Sequence, residues 1–109
     1  MRENKVKRAL AAGDVAVGTM AFEFPATALA RLAADAGADF VVYDMEHTGW
    51  TIETMRTLMA TARFGDLVPA VRVPATEYHF IARILDVGAM GIMVPMVESA
   101  EQARKIVEC

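Results

Sequence analysis

Two carboxylates and an imidazole, Asp44, Glu46 and His47, follow directly on the apolar run Phe40-Val41-Val42-Tyr43. A single cation, Arg72, stands inside another apolar string, Val68-Pro69-Ala70-Val71-Arg72-Val73-Pro74. Histidine suits proton transfer near neutral pH, because its ordinary protonation change falls there. A guanidinium buried among small apolar residues costs several kcal/mol unless it is paired or meets an anion, so Arg72 has the character of a carboxylate-binding group. A structural account also exists for each residue. Asp44 could form a turn and pair Arg72, and His47 could be an ordinary loop histidine. Taken together, at the ends of two neighbouring apolar segments, the cluster points to chemistry. The other candidates read as structure: His79 beside Tyr78 and Phe80 as packing or surface, the eight methionines as core filler, and Cys109 as a thiol with no companion base. Trp50 could line a pocket or staple a helix.

These residues need elements to position them, and Gly and Pro mark the boundaries. Asn4 can cap a helix over about 5–12 that Gly13 ends. Val15–Met20 reads as a buried strand, and Pro25 suits the first turn of a helix that stops at Gly37. Asp39–Asp44 is the clearest strand. Thr51 can cap the next helix, with Glu53 near its positive end and Ile52, Met55, Leu58 and Met59 along one face. Val68–Val73 is a third strand, Tyr78 opens a helix closed by Gly88, and Gly91–Pro95 is a fourth strand. Ser99 with Gln102 forms an S-x-x-Q capping box for a helix over 100–108. The strands are apolar on both faces, as parallel strands covered by helices must be. No glycine-rich phosphate turn follows the first strand, where the sequence is Ala21-Phe22-Glu23-Phe24-Pro25, which argues against a dinucleotide-binding sheet. In a parallel α/β fold the carboxyl ends of the strands carry function, and Asp44, His47 and Arg72 fall there. Alternation puts Arg72 on the face of Ala70, opposite Val71 and Val73.

The composition sets the outer bounds. With 109 residues the chain has room for one small domain, 1–109, and 55% hydrophobic residues exclude disorder. A net charge of −3, with Arg2, Lys5, Lys7 and Arg8 as the one basic run, offers no field for nucleic acid. No apolar run reaches the ~18 residues of a membrane span, and the start lacks the apolar core of a signal peptide, so no membrane and a cytoplasmic location are expected. One cysteine excludes an internal disulfide. A barrel takes ~250 residues, and the pattern holds four βα units after a leading helix, so the expected class is α/β, the N-terminal half of a (β/α)8 barrel, within something longer.

Three strings together resemble the HpcH/HpaI aldolase family: Ala38–His47 (ADFVVYDMEH), Val71–Pro74 (VRVP) and Leu85–Val97 (LDVGAMGIMVPMV). The resemblance runs over essentially the whole chain. It implies a (β/α)8 barrel, a homo-oligomer, and a metal-dependent class II aldolase of the phosphoenolpyruvate/pyruvate superfamily. Such an enzyme reversibly cleaves a 4-hydroxy-2-oxo acid to pyruvate, or a related 2-oxo acid, and an aldehyde. It also implies roles: His47 as general base, Arg72 as transition-state stabiliser, and Asp86 as the partner that raises the basicity of His47. Asp44 and Glu46 would support substrate or metal-bound water. The divalent ion (Mg²⁺, Mn²⁺ or Co²⁺) is expected on a Glu and an Asp beyond residue 109, with no direct ligand in this chain, and 1–109 alone is expected to be inactive.

Asp86 sits awkwardly in that scheme. It closes a helix just before the fourth strand, at the amino end of the strands, whereas His47 and Arg72 follow strands. A strand of five or six residues spans ~17–20 Å, so Asp86 either pairs a neighbour such as Arg83 or reaches the His47 of an adjacent subunit. Two other functions compete: a citrate-lyase-like enzyme acting on a CoA thioester, and a non-catalytic half-barrel that pairs with another chain.

Overall fold

A computed structural model describes residues 3–109; Met1 and Arg2, and with Arg2 part of the basic run, lie outside the described residues. The elements alternate as β1 (Gly18–Ala21), α2 (Leu29–Asp35), β2 (Phe40–Asp44), α3 (Ile52–Ala62), β3 (Val68–Arg72), α4 (Tyr78–Asp86), β4 (Gly91–Met93) and α5 (Ala100–Glu108), after a leading α1 (Lys5–Ala11). The four strands form one parallel sheet in sequence order, β1-β2-β3-β4. This is the arrangement of half a (β/α)8 barrel.

The alternation of side chains along each strand separates two environments. Val41, Tyr43, Val71 and Val73 are buried and pack with Ala30 and Ala33 of α2, Met55, Leu58, Met59 and Ala62 of α3, and Ile81 and Ile84 of α4. Each such Leu, Ile or Met side chain stabilises the fold by about 1.5–3 kcal/mol relative to exposure. The opposite, inner face is built in rows set by the register. Gly18, Phe40 and Val68 form the lowest row; Met20, Val42, Ala70 and Gly91 form the next; Asp44, Arg72 and Met93 form the row at the carboxyl end. Gly18 has a steric reason to be glycine, since a Cβ there would come within 2.5 Å of the Phe40 ring.

Helix α1 crosses the amino end of that inner face. Asn4 caps it by accepting from the Lys7 amide, and its amide nitrogen donates to the Met90 carbonyl at 3.0 Å. The Lys5 ammonium donates to the Asp66 carbonyl at 2.6 Å and pairs with Asp39 at 3.8 Å. These bonds fasten α1 to the segments that enter β2, β3 and β4. Between α1 and the sheet lies an apolar cleft of about 620 Å³, lined by Val6, Leu10, Phe40, Val42, Ala70 and Met93 among others.

The caps at Thr51 and Ser99 form as their sequences indicate, including the reciprocal Ser99–Gln102 box. Two expectations need correction. The helix expected from Pro25 starts at Leu29: residues 26–29 make a single turn, with the Leu29 amide donating to the Ala26 carbonyl at 3.0 Å, and Ala28 offers no side-chain cap. The strand expected over Val15–Met20 is Gly18–Ala21, and Val15 is 82% exposed rather than buried. Among the described residues strand β1 has a neighbour on one side only, and Val17 meets Asp39 through two bonds just outside the ladder. Among the described residues no helix is long and apolar enough to cross a membrane.

Candidate active site

Asp44 ends β2 and Arg72 ends β3, and the parallel register places them side by side on the inner face. The Asp44 carboxylate is fully buried. Arg72 donates to it through two bonds, Nε to Oδ1 at 2.7 Å and Nη2 to Oδ2 at 3.0 Å. This fork geometry is the strong form of an arginine–carboxylate pair. The same two oxygens accept from the backbone amides of Glu46 at 3.0 Å and His47 at 3.2 Å, while the Asp44 carbonyl accepts from the Thr48 hydroxyl at 2.6 Å. Asp44 therefore folds the loop after β2 and orients Arg72 at once, as a short acid side chain in a turn can do.

Glu46 returns from that loop to the guanidinium. Its Oε2 lies 3.2 Å from Arg72 Nε and 3.6 Å from His47 Nε2, so one carboxylate oxygen links the cation to the imidazole. The side chains grade outward in exposure: Asp44 0%, Glu46 17%, Arg72 19% and His47 68%. The anchor is dry and the imidazole faces solvent. The Asp44 carboxyl is held below the usual carboxylate range, chiefly by its bonds to Arg72, with burial opposing and the two loop amides assisting. The Arg72 guanidinium is raised above its already high value by the same bonds, so its charge is permanent. A guanidinium has five N–H donors. The Nε and one Nη2 hydrogen are used here, leaving three N–H groups for an anion at the carboxyl end of the sheet.

The structure brings Asp44, Glu46, His47 and Arg72 together and leaves Asp86 apart. Asp86 is exposed on the outer helical layer, in a groove between α3 and α4 with Glu53, Arg56 and Arg83. Among the described residues no hydrogen bond or ion pair joins it to His47 or to Arg83. Trp50 half-buries against Tyr43, ring centroids 6.4 Å apart, and so staples the loop to the helical side of the sheet. Burial pushes the Tyr43 phenol up to about 12. His79 is exposed and stacks on Phe80, and the Cys109 thiol donates to the Lys105 carbonyl. The bridging position of Glu46 and the hydroxyl of Thr48 under the loop were not read from the sequence; the Asp-x-Glu-His-Thr spacing after a strand was the available signal.

The cluster does not fit a divalent cation. Both Asp44 oxygens are taken by four donors, and Glu46 faces a guanidinium that would repel a metal. Among the described residues no group of three His, Cys, Asp or Glu is placed to hold one.

Comparison with known proteins decides the family. The model of the HpcH/HpaI aldolase/citrate lyase family matches residues 23–109. The chain belongs to this family. It is 38% identical over 104 residues to the hydroxypyruvate/pyruvate aldolase of Roseovarius nubinhibens, covering 95% of this chain and 40% of that protein. Over 105 residues it is 34% identical to the 2-keto-3-deoxy-L-rhamnonate aldolase of Klebsiella pneumoniae, with 95% and 39% covered. Among solved structures, the HpcH/HpaI aldolase of Desulfitobacterium hafniense superposes with a TM-score of 0.88 at 35% identity, over 94% of this chain and 39% of that one. The citrate synthase SbnG superposes at 0.86 and 36% identity, over 94% and 41%. The chain thus spans about 40% of the length of these relatives.

Proposed function

We propose that these residues form part of a class II aldolase that reversibly cleaves a 4-hydroxy-2-oxo acid to pyruvate, or a related 2-oxo acid, and an aldehyde. The observation that carries this reading is Arg72, fixed by a buried carboxylate at the carboxyl end of β3, with three N–H groups beyond those bonds and His47 linked to it through Glu46. In the cleavage direction His47 accepts the proton of the C4 hydroxyl and the C3–C4 bond breaks. The aldehyde departs, and the electron pair comes to rest on the enolate oxygen of the three-carbon half. The Arg72 donors meet that developing charge, a role worth about 2.7–4 kcal/mol for one well-placed donor elsewhere. Protonation of the enolate at C3 gives pyruvate. Asp44 and Glu46 hold the guanidinium in place. The divalent ion that the family resemblance calls for belongs, in this reading, to side chains outside this cluster.

Asp86 enters the same reading from a neighbouring subunit of a homo-oligomer, since its own chain places it on the outer layer. Mixing Asp86→Asn with His47→Ala subunits tests this: recovered activity supports a shared site, and none after proven subunit exchange removes Asp86 from the mechanism. The enzyme is read as cytoplasmic. The complete product of the reading frame, assayed with Mg²⁺, Mn²⁺ or Co²⁺, pyruvate and hydroxyaldehydes, tests the activity. Aldol product that disappears in His47→Ala and Arg72→Ala supports the assignment; no product with any metal contradicts it.

The similarity to the citrate synthase SbnG favours one second reading, a lyase or synthase acting on citrate or a CoA thioester. CoA-dependent turnover without pyruvate chemistry would establish it.

A further inference from the structure

His47 lies in a loop whose main chain is tied down on both sides. At its start, the buried Met45 donates its amide to the Arg72 carbonyl at 2.9 Å, which carries the pairing with β3 beyond Asp44. At its end, Trp50 packs on Tyr43, and Thr51 caps α3 by accepting from the Thr54 amide. Between these anchors the Asp44 carboxylate accepts from the Glu46 and His47 amides. Thr48 supplies the remaining tie. Its hydroxyl donates to the Asp44 carbonyl at 2.6 Å and accepts from the Trp50 amide at 3.2 Å. A hydroxyl has one hydrogen to donate, and here it fastens the entrance of α3 to the end of β2. Every one of these contacts lies within β2, its loop, the start of α3 and the paired end of β3, away from either end of the chain.

The imidazole itself has little to hold it. Among the described residues its ion-pair contact is Glu46 Oε2 at 3.6 Å, longer than a hydrogen bond. The main chain at residue 47 therefore sets where the ring stands. Two ties hold that main chain: the His47 amide on the Asp44 carboxylate, and the Thr48 hydroxyl on the next residue. They act on different groups. The Asp44 carboxylate also grips Arg72, whereas Thr48 touches the Asp44 carbonyl alone. Loss of the Thr48 hydroxyl frees the loop under His47 and leaves the fork on Arg72 intact. A misplacement of about 1 Å in a reacting group costs on the order of 10²-fold in rate. We infer that Thr48 is a positioning residue, whose hydroxyl sets the reach of His47 to the C4 hydroxyl of the substrate without touching substrate itself. The inference rests on the aldolase reading, in which His47 acts on that hydroxyl and Arg72 on the enolate.

Two reactions of the complete gene product, loaded with a divalent ion, test it. Cleavage of the aldol adduct of pyruvate and glycolaldehyde calls on His47, while exchange of solvent deuterium into pyruvate reports the enolate that Arg72 meets. Thr48→Val keeps the branched shape and loses both bonds. It should cleave about 10–100-fold more slowly in kcat, with KM and the pyruvate exchange rate within about threefold of wild type. Thr48→Ser restores a hydroxyl and should recover cleavage to within about threefold. Amide hydrogen exchange gives a readout free of activity. The His47 and Trp50 amides should exchange at least about tenfold faster in Thr48→Val, with those of β2 and β3 unchanged. If Thr48→Val does not fold, Thr48→Ala carries the same expectations. Cleavage at the wild-type rate in Thr48→Val, cleavage and pyruvate exchange falling together, no recovery in Thr48→Ser, or unchanged loop amides would each overturn the proposal. Wild type inactive in both reactions overturns the aldolase reading and the positioning role with it; loop amides that still loosen in Thr48→Val then trace the failure to that reading and not to the clamp.

Discussion

Replacing Asp44 by Ala removes the anchor of the candidate site, and the structure sets the scale of the loss. Breaking a buried ion pair by deleting one partner costs about 3–5 kcal/mol, because the other charge is left uncompensated. Here Arg72 retains Glu46 at 3.2 Å and is partly open to water, which recovers some of that cost. The Glu46 and His47 amides also lose their acceptor, at about 0.5–1.5 kcal/mol each where water does not replace it. The expected loss is about 3 kcal/mol, on the order of 12–24 °C in Tm for a chain of this size. Urea unfolding followed by circular dichroism, at fixed chain concentration, measures it. The double variant Asp44→Leu/Arg72→Met removes both charges, so it should lose less than Asp44→Ala alone, with a strongly non-additive cycle. The pH dependence follows from the lowered Asp44 carboxyl. The unfolded chain binds that proton more readily, so the pair's contribution is complete above the ordinary carboxylate value of about 4 and is lost as pH falls through the lower native value. The gap between wild type and Asp44→Asn should therefore close in acid. A loss below about 1 kcal/mol for Asp44→Ala, or additive effects of the two charges, would refute the argument that a buried fork organises this site.

Three further outcomes are expected. His47→Ala should change stability by no more than about 0.5 kcal/mol, because the side chain is exposed, while abolishing aldol turnover in the complete gene product; thermal melts and the aldol assay separate the two. Ser99→Ala should cost α5 about 1 kcal/mol and increase its amide exchange, since the Gln102 amide loses the Ser99 hydroxyl it donates to, while the bond from the Ser99 backbone amide to Gln102 Oε1 can persist. Gly88→Ala should destabilise by about 1–2 kcal/mol in a denaturant melt, because φ of 110° is strained for any Cβ. Arg63 would also have to withdraw its guanidinium, 3.0 Å from the new atom, though a flexible side chain does so at little cost.

How legible each part was depended on whether its cause is local. Strand β2 could be read directly, because Phe40–Tyr43 is apolar on both faces and Asp39 and Asp44 close it; Thr51 and Ser99 announced their helices because a cap is a local bond. The start of α2 lies later than Pro25 suggests because Ala28, at the cap, carries no side-chain acceptor, so no residue type marks the boundary. The apolar sequence of Val15–Met20 predicts a buried strand, yet burial depends on what packs against it, and among the described residues the strand neighbour of β1 is β2 alone. At the site, alternation puts Arg72 on the inner face with Ala70, and Asp44 reads as a turn former that could pair Arg72; the structure shows it in both tasks. Residue types and spacing alone do not separate a structural pair from a chemical one. The bridge through Glu46 depends on side-chain rotamers that meet between the loop after β2 and the end of β3, which no spacing rule encodes.

The central claim is that Arg72, held by Asp44, stabilises an enolate. Exchange of deuterium from solvent into the methyl group of pyruvate reports enolate formation without requiring the aldehyde to be known. For the complete gene product with a divalent ion, wild type should exchange, and Arg72→Ala should exchange about 10²–10³-fold more slowly, the loss of one oxyanion donor. Wild-type protein that leaves pyruvate unlabelled with every metal, or an Arg72→Ala variant that exchanges at the wild-type rate, would contradict the account.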